Sequence, residues 1–306
     1  MSKLSVIVPA YNESEMIPIT YEKINSTMQH NNIDAEIVFV DDGSKDDTFL
    51  VIEELVKKGN PNIKGISFSR NFGKEAAIFA GLKEATGDAC VVMDCDLQHP
   101  VETVVEMYRL WSEEGYEIIE GVKSDRGKES ILKKGCAKLF YSIMSSLSGI
   151  DMRDTSDFKL LGRKAVDSLL EMPERMPFFR GLSQWVGFKS IKIPFEVQER
   201  VVGESKWSTK KLVKYAIHNI SIFSSKPLQL ITVLGCLFFI FGVIVGIEAL
   251  IRFFLGTSSA GFPTVIGLVL ISSGVIMLSL GIIGNYIGLI YEEVKARPRY
   301  IISKKC

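Results

Sequence analysis

The residues of this chain best suited to chemistry are Asp94 and Asp96, with Gln98 beside them, in the stretch Asp94-Cys95-Asp96-Leu97-Gln98-His99-Pro100. A hydrophobic run from Ala89 to Met93 precedes them and reads as a buried strand, and a helix-like segment opens at Pro100. Two carboxylates and an amide therefore crowd the carboxyl end of a strand, which is where ligands sit in an open α/β sheet. The hard oxygen donors of Asp94, Asp96 and Gln98 suit Mg²⁺ or Mn²⁺, and such an ion would hold and neutralise a diphosphate. A nucleotide diphosphate carrying a sugar fits that description. An Asp at a strand end is also the ordinary cap of a following helix, so the triplet needs support from elsewhere in the chain.

Two further strand-like runs provide it. Leu4 to Pro9 ends in Ala10-Tyr11-Asn12-Glu13, and Glu36 to Val40 ends in Asp41-Asp42-Gly43-Ser44. Three strands thus deliver carboxylates to one edge of one sheet. Val6-Ile7-Val8-Pro9-Ala10-Tyr11-Asn12-Glu13, Val40-Asp41-Asp42-Gly43-Ser44 and the Asp94 to Pro100 stretch resemble the nucleotide-binding signatures of family 2 inverting glycosyltransferases. More narrowly, the chain resembles the polyprenyl-phosphate glycosyltransferases, the group of dolichol-phosphate mannose synthases and bacterial undecaprenyl-phosphate glucosyltransferases. The likeness covers essentially the whole chain.

The resemblance implies roles. Asp96 and Gln98 would ligate the ion, Asp94 would touch the ribose or sugar, and Pro9, Tyr11, Glu13 and Asp42 would frame the base and ribose. Lys74, in Ser69-Arg70-Asn71-Phe72-Gly73-Lys74-Glu75, follows another strand end and could meet the nucleotide or stay solvated in a helix's first turn. Asp157, in Thr155-Ser156-Asp157-Phe158-Lys159, matches the acceptor-side Asp that the family pattern assigns as general base. A lipid phosphate has a second pKa near 6 and arrives mostly ionised, so Asp157 is expected to orient the acceptor or sugar hydroxyls as much as to take a proton. Arg200, Ser205 and Lys206, in Arg200-Val201-Val202-Gly203-Glu204-Ser205-Lys206, resemble the family's acceptor-phosphate loop, with Arg126, Lys123 and Arg153 as further candidates.

The elements that must position these residues follow from alternation. Strand-like segments near Leu4, Glu36, Ile63, Ala89 and Ile118 are separated by helical stretches, which predicts βαβ units and a mainly parallel sheet. No Gly-x-Gly-x-x-Gly turn follows the first strand and no Gly-Lys-Ser/Thr phosphate loop is present, which argues against dinucleotide and ATP binding. Beyond Asp125, Ile131 to Leu147 and Leu212 to Phe223 repeat apolar residues at helical spacing beside lysines, a pattern open to two readings, an interfacial helix or one packed on the domain.

The chain has 306 residues, 47% of them hydrophobic, and the apolar excess lies toward the C-terminus. Neither Leu230 to Ile247 nor Phe253 to Tyr291 contains Asp, Glu, Lys or Arg, and each is long enough to cross a hydrocarbon core about 30 Å thick. Lys210, Lys211, Lys214 and Lys226 precede the first span, and Lys295, Arg297, Arg299, Lys304 and Lys305 follow the second, so both ends are expected in the cytoplasm. Met1-Ser2-Lys3 runs straight into a strand, without the pattern of a cleavable signal. Glu248 lies in an otherwise apolar stretch, one turn before Arg252. Gly242-x-x-x-Gly246 and Gly284-x-x-x-Gly288 would let helices approach closely, within the hairpin or between subunits of a homo-oligomer. A net charge of zero gives no support for nucleic-acid binding. The five cysteines share no metal or redox spacing.

The expected architecture is an α/β chain with a GT-A type nucleotide-sugar-binding domain over residues 1–208. A juxtamembrane amphipathic helix at 209–227, two transmembrane helices within 228–292 and a basic cytoplasmic tail at 293–306 complete it. The expected activity is inverting transfer of one hexose, from UDP-glucose by preference, to a polyprenyl phosphate, in an integral protein of the bacterial plasma membrane. UDP-N-acetylglucosamine or GDP-mannose as donor, another lipid as acceptor, and an inactive membrane-tethered scaffold are the alternatives.

Overall fold

The computed structural model describes residues 2–58, 62–124, 155–175, 177–196, 198, 226–256 and 262–306. By contact the chain divides into two compact units, Met1–Ser208 together with Arg297–Cys306, and Thr209–Ala296.

The first unit is built on one eight-stranded sheet. Its strands are β1 (Leu4–Ala10), β2 (Ala35–Asp41), β3 (Ile63–Phe68), β4 (Ala89–Val92), β5 (Ile118–Lys123), β6 (Lys159–Gly162), β7 (Ser190–Phe195) and β8 (Ile302–Lys305), in the order β7-β5-β6-β4-β1-β2-β3-β8. The central strands β4, β1, β2 and β3 run parallel. β1 and β4 are nearly continuous apolar runs, as strands covered on both faces tend to be: every residue of β4 and all but Pro9 of β1 are buried. Helices α1 (Met16–His30), α2 (Thr48–Lys57), α3 (Lys74–Glu84) and α4 (Val101–Glu114) supply the crossovers.

The sheet is mixed rather than uniformly parallel. β6 inserts antiparallel between β4 and β5, and β8 pairs antiparallel with β3. The sequence order β4-α4-β5 hides this, because it predicts that consecutive strands lie side by side, whereas β6 arrives from a later segment. The basic tail expected over 293–306 also requires correction, since Ile302–Lys305 is the edge strand β8. Ile-Ser-Lys-Lys shows no period-two apolar alternation, so nothing local marks it as a strand. It pairs through its backbone with the open edge that β3 would otherwise expose.

The ladder between β1 and β4 ends at Ile7↔Val92, while β1 stays paired with β2 as far as Ala10↔Asp41. Pro9 therefore costs no hydrogen bond on the β4 side, where its missing N–H would have pointed at a partner strand. The carboxyl ends of β1 and β4 separate there. That is the point where the strand order reverses direction, and a crevice for ligands opens at such a switch point.

Two shorter helices, α5 (Arg163–Glu171) and α6 (Phe179–Trp185), follow β6. Beneath them Lys159, fully buried, pairs with buried Glu120 at 3.2 Å. The pair is tied in by Ser156 N–H and Gln184 on Glu120 and by Ser183 on Lys159. Removing either partner would leave an unpaired buried charge, at a cost of about 3–5 kcal/mol.

The second unit contains α7 (Lys226–Phe254) and α8 (Phe262–Val294), which pack against each other. Ile231–Ala249 and Val265–Val294 are long and apolar enough to cross a membrane, and neither is buried in protein. Phe239 is 73% exposed and Met277 69%. Faces of this kind match lipid, not water. Arg252 donates to Glu248 Oε1 at 2.9 and 2.6 Å, as their spacing on one helix face predicts. Among the described residues, a Cβ placed on Gly242, Gly246, Gly284 or Gly288 would meet nothing within 4 Å, so these glycines do not lie at a close contact between the described parts of the two helices.

Candidate active site

The loops at the carboxyl ends of the parallel strands are joined one to the next by side chains. Asn12 N–H donates to Ser44 Oγ at 2.8 Å and Glu13 N–H to Thr48 Oγ1 at 2.9 Å, which fastens the loop after β1 to the loop after β2. Asn12 adopts a left-handed φ of 54°, a conformation Asn tolerates better than most residues. Gly43, at φ 64°, has no such latitude, since a Cβ would lie 2.4 Å from the Arg70 carbonyl carbon. Tyr11 is 37% exposed on this rim, with Pro9 and Glu13 half-buried beside it.

Asp42 makes the next link. Its Oδ1 accepts Phe72 N–H at 2.7 Å and its Oδ2 accepts Gly73 N–H at 2.9 Å. Burial pushes its carboxyl up to about 6 in spite of those donors, with Asp41 adding to the rise. Asp41 is engaged elsewhere, accepting Ser67 Oγ–H at 2.6 Å and Ser44 N–H at 2.9 Å.

Lys74, the first residue of α3, makes the third link. Its ammonium lies 2.5 Å from Asp94 Oδ1 and 2.9 Å from Asp157 Oδ2, so one cation spans the Asp94 loop and the segment leading into β6. Burial opposes a charged Lys74, yet Asp157 and Asp94 hold its pKa above the ordinary lysine value. Burial likewise opposes ionisation of Asp94, and the Lys74 charge still keeps it below the usual carboxylate range.

Asp157 is gripped from a second side. Arg180, near the start of α6, donates through Nε to Oδ1 at 2.7 Å and through a terminal nitrogen to Oδ2 at 2.8 Å, a two-pronged pairing. Burial would raise the Asp157 carboxyl, but Arg180 and Lys74 together hold it well below the usual range. Glu75 lies near this cluster and accepts Phe179 N–H at 2.9 Å; burial and the neighbouring Asp157 charge push it up to about 7.

In the Asp94 to Pro100 loop, Cys95, Leu97 and His99 are buried while Asp94, Asp96 and Gln98 are half-exposed. Leu97 takes a left-handed φ of 54° although it is a bulky apolar residue, and strain of this kind collects at functional loops. Gln98 N–H donates to Asp96 Oδ1 at 3.2 Å. His99 stacks on Phe158 with ring centres 4.5 Å apart, and its Nδ1 accepts Asp94 N–H at 3.3 Å. Burial pushes the imidazole below its ordinary pKa, so it is neutral at pH 7.

The predicted residues thus fall into two groups. Asp94, Asp157 and Lys74 meet directly, and Asp96 and Gln98 flank them on the Asp94 loop. Pro9, Tyr11, Glu13 and Asp42 lie on the adjoining strand-end loops. Lys123 is exposed at the end of β5, and its charge adds to the lowering of the His99 pKa. Arg126, Arg153, Arg200, Ser205 and Lys206 lie outside the described residues, as do the two amphipathic stretches. Arg180, Glu75 and His99 are the additions. Arg180 carries no local signal, because only the packing of α6 brings it to Asp157.

A profile of the family described as Glycosyl transferase family 2 matches residues 5–170, more than half of the chain and every strand of the parallel centre. The chain belongs to glycosyl transferase family 2. Among similar family members, the uncharacterized glycosyltransferase YkcC of Bacillus subtilis is 40% identical over 98% of this chain and 93% of its own length. The SfII prophage-derived bactoprenol glucosyl transferase of Shigella flexneri is 36% identical over 99% of this chain and 98% of its own. Among solved structures, glucosyl-3-phosphoglycerate synthase of Mycobacterium tuberculosis, in complex with Mn²⁺, UDP and phosphoglyceric acid, superposes with a TM-score of 0.53. It is 18% identical and covers 72% of this chain and 76% of that one, a likeness of fold. This family-2 glycosyltransferase therefore carries the GT-A fold, with the Lys74–Asp94–Asp157–Arg180 cluster at the carboxyl edge of its sheet.

Proposed function

We propose that the protein moves a single hexose, with inversion, from a nucleotide diphosphate sugar to a polyprenyl phosphate at the cytoplasmic leaflet of a bacterial plasma membrane, and that UDP-glucose is the donor. The observation that carries this reading is the ammonium of Lys74 shared between Asp94 and Asp157, which puts a donor-side and an acceptor-side carboxylate on one cation. The full-length relative named a bactoprenol glucosyl transferase supports the lipid acceptor and the hexose. The basic residues that flank the apolar hairpin, Lys210, Lys211, Lys214 and Lys226 before it and Lys295, Arg297 and Arg299 after it, support entry and exit on a single, cytoplasmic face of the bilayer.

The donor set suits a divalent cation. Asp96 and Gln98 carry oxygens on the half-exposed side of the Asp94 loop, where Asp94 Oδ1 pairs with Lys74. Among the described residues, no group of three or more His, Cys, Asp or Glu could hold a metal by itself. Mg²⁺ and Mn²⁺ bind through one or two carboxylates and fill their remaining positions with water and substrate phosphate. Such an ion, held by Asp96 and Gln98, would neutralise charge on the departing diphosphate.

The protein's own residues divide the remaining work. Tyr11 offers a ring at the nucleotide rim, and Asp42 fixes the loop that ends in Lys74. Asp157, with both oxygens committed to cations, is a poor proton acceptor, and an ionised lipid phosphate has no proton to give. It acts by holding Lys74 and Arg180 in place, where their charges can meet phosphate oxygens as the sugar passes from one to the other. The donor and acceptor phosphates are both anionic, so these cations stabilise the transfer more than the ground state only if they stay oriented.

The test is incubation of the purified full-length protein with undecaprenyl phosphate, Mg²⁺ or Mn²⁺ and a panel of UDP- and GDP-sugars, with the mass of the lipid product as readout. A lipid carrying one hexose from UDP-glucose, lost in Asp96→Ala, is the expected result. Product from another donor alone would overturn the choice of sugar, and no lipid product with any donor would overturn the acceptor.

A further inference from the structure

The chain returns to the catalytic unit at Arg297, after the apolar hairpin, and two consecutive residues of the returning segment brace both halves of the active site. The Tyr300 ring stacks on Phe68 at the end of β3, with centres 5.0 Å apart and planes 12° from parallel. Phe68 in turn meets Phe72 edge-on at 5.8 Å, and Phe72 N–H is the group that Asp42 accepts at 2.7 Å. Arg299 points to the other half. It donates to the carbonyls of Glu174, at 2.8 Å, and Met172, which lie between α5 and α6, and its guanidinium sits 4.9 Å from the centre of the Phe79 ring on α3. Phe79 meets Phe179 edge-on at 6.4 Å, and Phe179 immediately precedes Arg180.

The backbone holds the segment in register. Ser69 N–H donates to Ile301 C=O at 3.0 Å, and Gly65 and Cys306 exchange both backbone hydrogen bonds at 2.9 Å. Gly65 lets the strands lie close at this crossing, because a Cβ there would lie 2.5 Å from Cys306 Sγ and 2.6 Å from an Ile52 methyl, and one of those side chains would have to move. Lys305 adds an ion pair to Glu84 of α3 at 2.5 Å. The segment therefore has contacts with β3, α3 and the α5–α6 connection, which lead into or carry the Phe72–Gly73 loop held by Asp42, Lys74 and Arg180.

We propose that Arg297–Cys306 is a strap that positions the active site, with Tyr300 as the positioning residue for the Phe72–Gly73–Lys74 loop on which donor binding depends. Folding of the segment that follows the membrane hairpin is thereby coupled to competence of the sugar-nucleotide site. The inference rests on the donor site described above, and its test includes one readout that needs no substrate.

The experiment compares full-length wild type, Tyr300→Ala and Tyr300→Phe in detergent. Initial rates are measured with UDP-glucose, Mn²⁺ and undecaprenyl phosphate, and amide hydrogen exchange is followed by mass spectrometry. In Tyr300→Ala the KM for UDP-glucose should rise about three- to tenfold, the size an aromatic pair is worth. Exchange should quicken in the peptide Ser69–Lys74 and stay unchanged in β1. Tyr300→Phe keeps the ring and should restore both. Loss of folded protein alone would lower the rate without moving KM, so the shift in KM separates positioning from mere stability. If Tyr300→Ala unfolds the domain, Tyr300→Leu, which keeps apolar bulk without the stacked ring, is read by the same criteria. A folded variant with wild-type KM and wild-type exchange over Ser69–Lys74 overturns the strap. If wild type uses no UDP-glucose, the donor assignment fails while the exchange result still decides the strap.

Discussion

Asp42 and Asp157 are both buried carboxylates at the carboxyl edge of the same sheet, and their surroundings push them in opposite directions. Asp42 is held by two backbone N–H groups, with no cation against it among the described residues; burial raises it to about 6. Asp157 is held by Arg180 and Lys74, and their charges keep it ionised far into the acid range in spite of burial. The surroundings of Asp42 are thus organised by neutral donors and those of Asp157 by full charges. Backbone amides carry no charge to lose, whereas a cation pair holds its geometry only while every member stays charged.

The strongest way to break this contrast is Asp157→Asn. It leaves a side chain of the same shape but releases two cations from their shared anion, and turnover should fall about a hundredfold or more, the scale of a misplaced catalytic group. Near-wild-type kcat in that variant would mean the charge cluster is dispensable.

Arg180→Met should act next most strongly. With half of its counter-charge gone, Asp157 becomes easier to protonate, so kcat should fall about tenfold at pH 7.5 and acquire an acid limb that wild type lacks. Profiles of kcat between pH 5 and 9 check this, and identical shapes for the two proteins would remove Arg180 from the cluster.

The smallest effect belongs to Asp42. Its folded pKa lies above the ordinary value, so the folded protein holds this proton more tightly than the unfolded chain does. The contribution is present below the ordinary carboxylate value near 4 and is lost as pH rises through about 6. Thermal unfolding of Asp42→Asn should therefore lose less stability than wild type between pH 4.5 and 7. Asp157 contributes with the opposite sign, adding stability above the ordinary value that disappears only as pH falls through its depressed one. If Asp42→Asn and wild type show parallel stability curves, the two carboxylates are not set apart in the way described.

How far the sequence revealed these features depended on range. The strands ending at Ala10, Asp41 and Val92 are each a local apolar run with a polar terminus, and parallel pairing follows from the helices between them. The spans in α7 and α8 were equally plain, because a bilayer imposes a length and an apolar composition that can be read without tertiary context. Arg180, the antiparallel β6 and the strand β8 were not legible. Arg180 lies 23 residues beyond Asp157 in a helix of seven residues with no motif, and its pairing is visible only once α6 is packed. Ile302–Lys305 is half lysine, and a short charged edge strand gains its stability from pairing with β3, a contact no local pattern encodes.

Taken alone, the amino-acid order determined which side chains could do chemistry, that they stand at strand ends, and that an apolar hairpin follows them, because each of these is a property of a few neighbouring residues. Only the tertiary structure decided that Lys74 lies between Asp94 and Asp157, that Arg180 closes the cluster, and that the last ten residues brace it. These depend on contacts between residues 20 to more than 200 positions apart, and the free energy that selects them comes from burial and charge pairing of the whole domain.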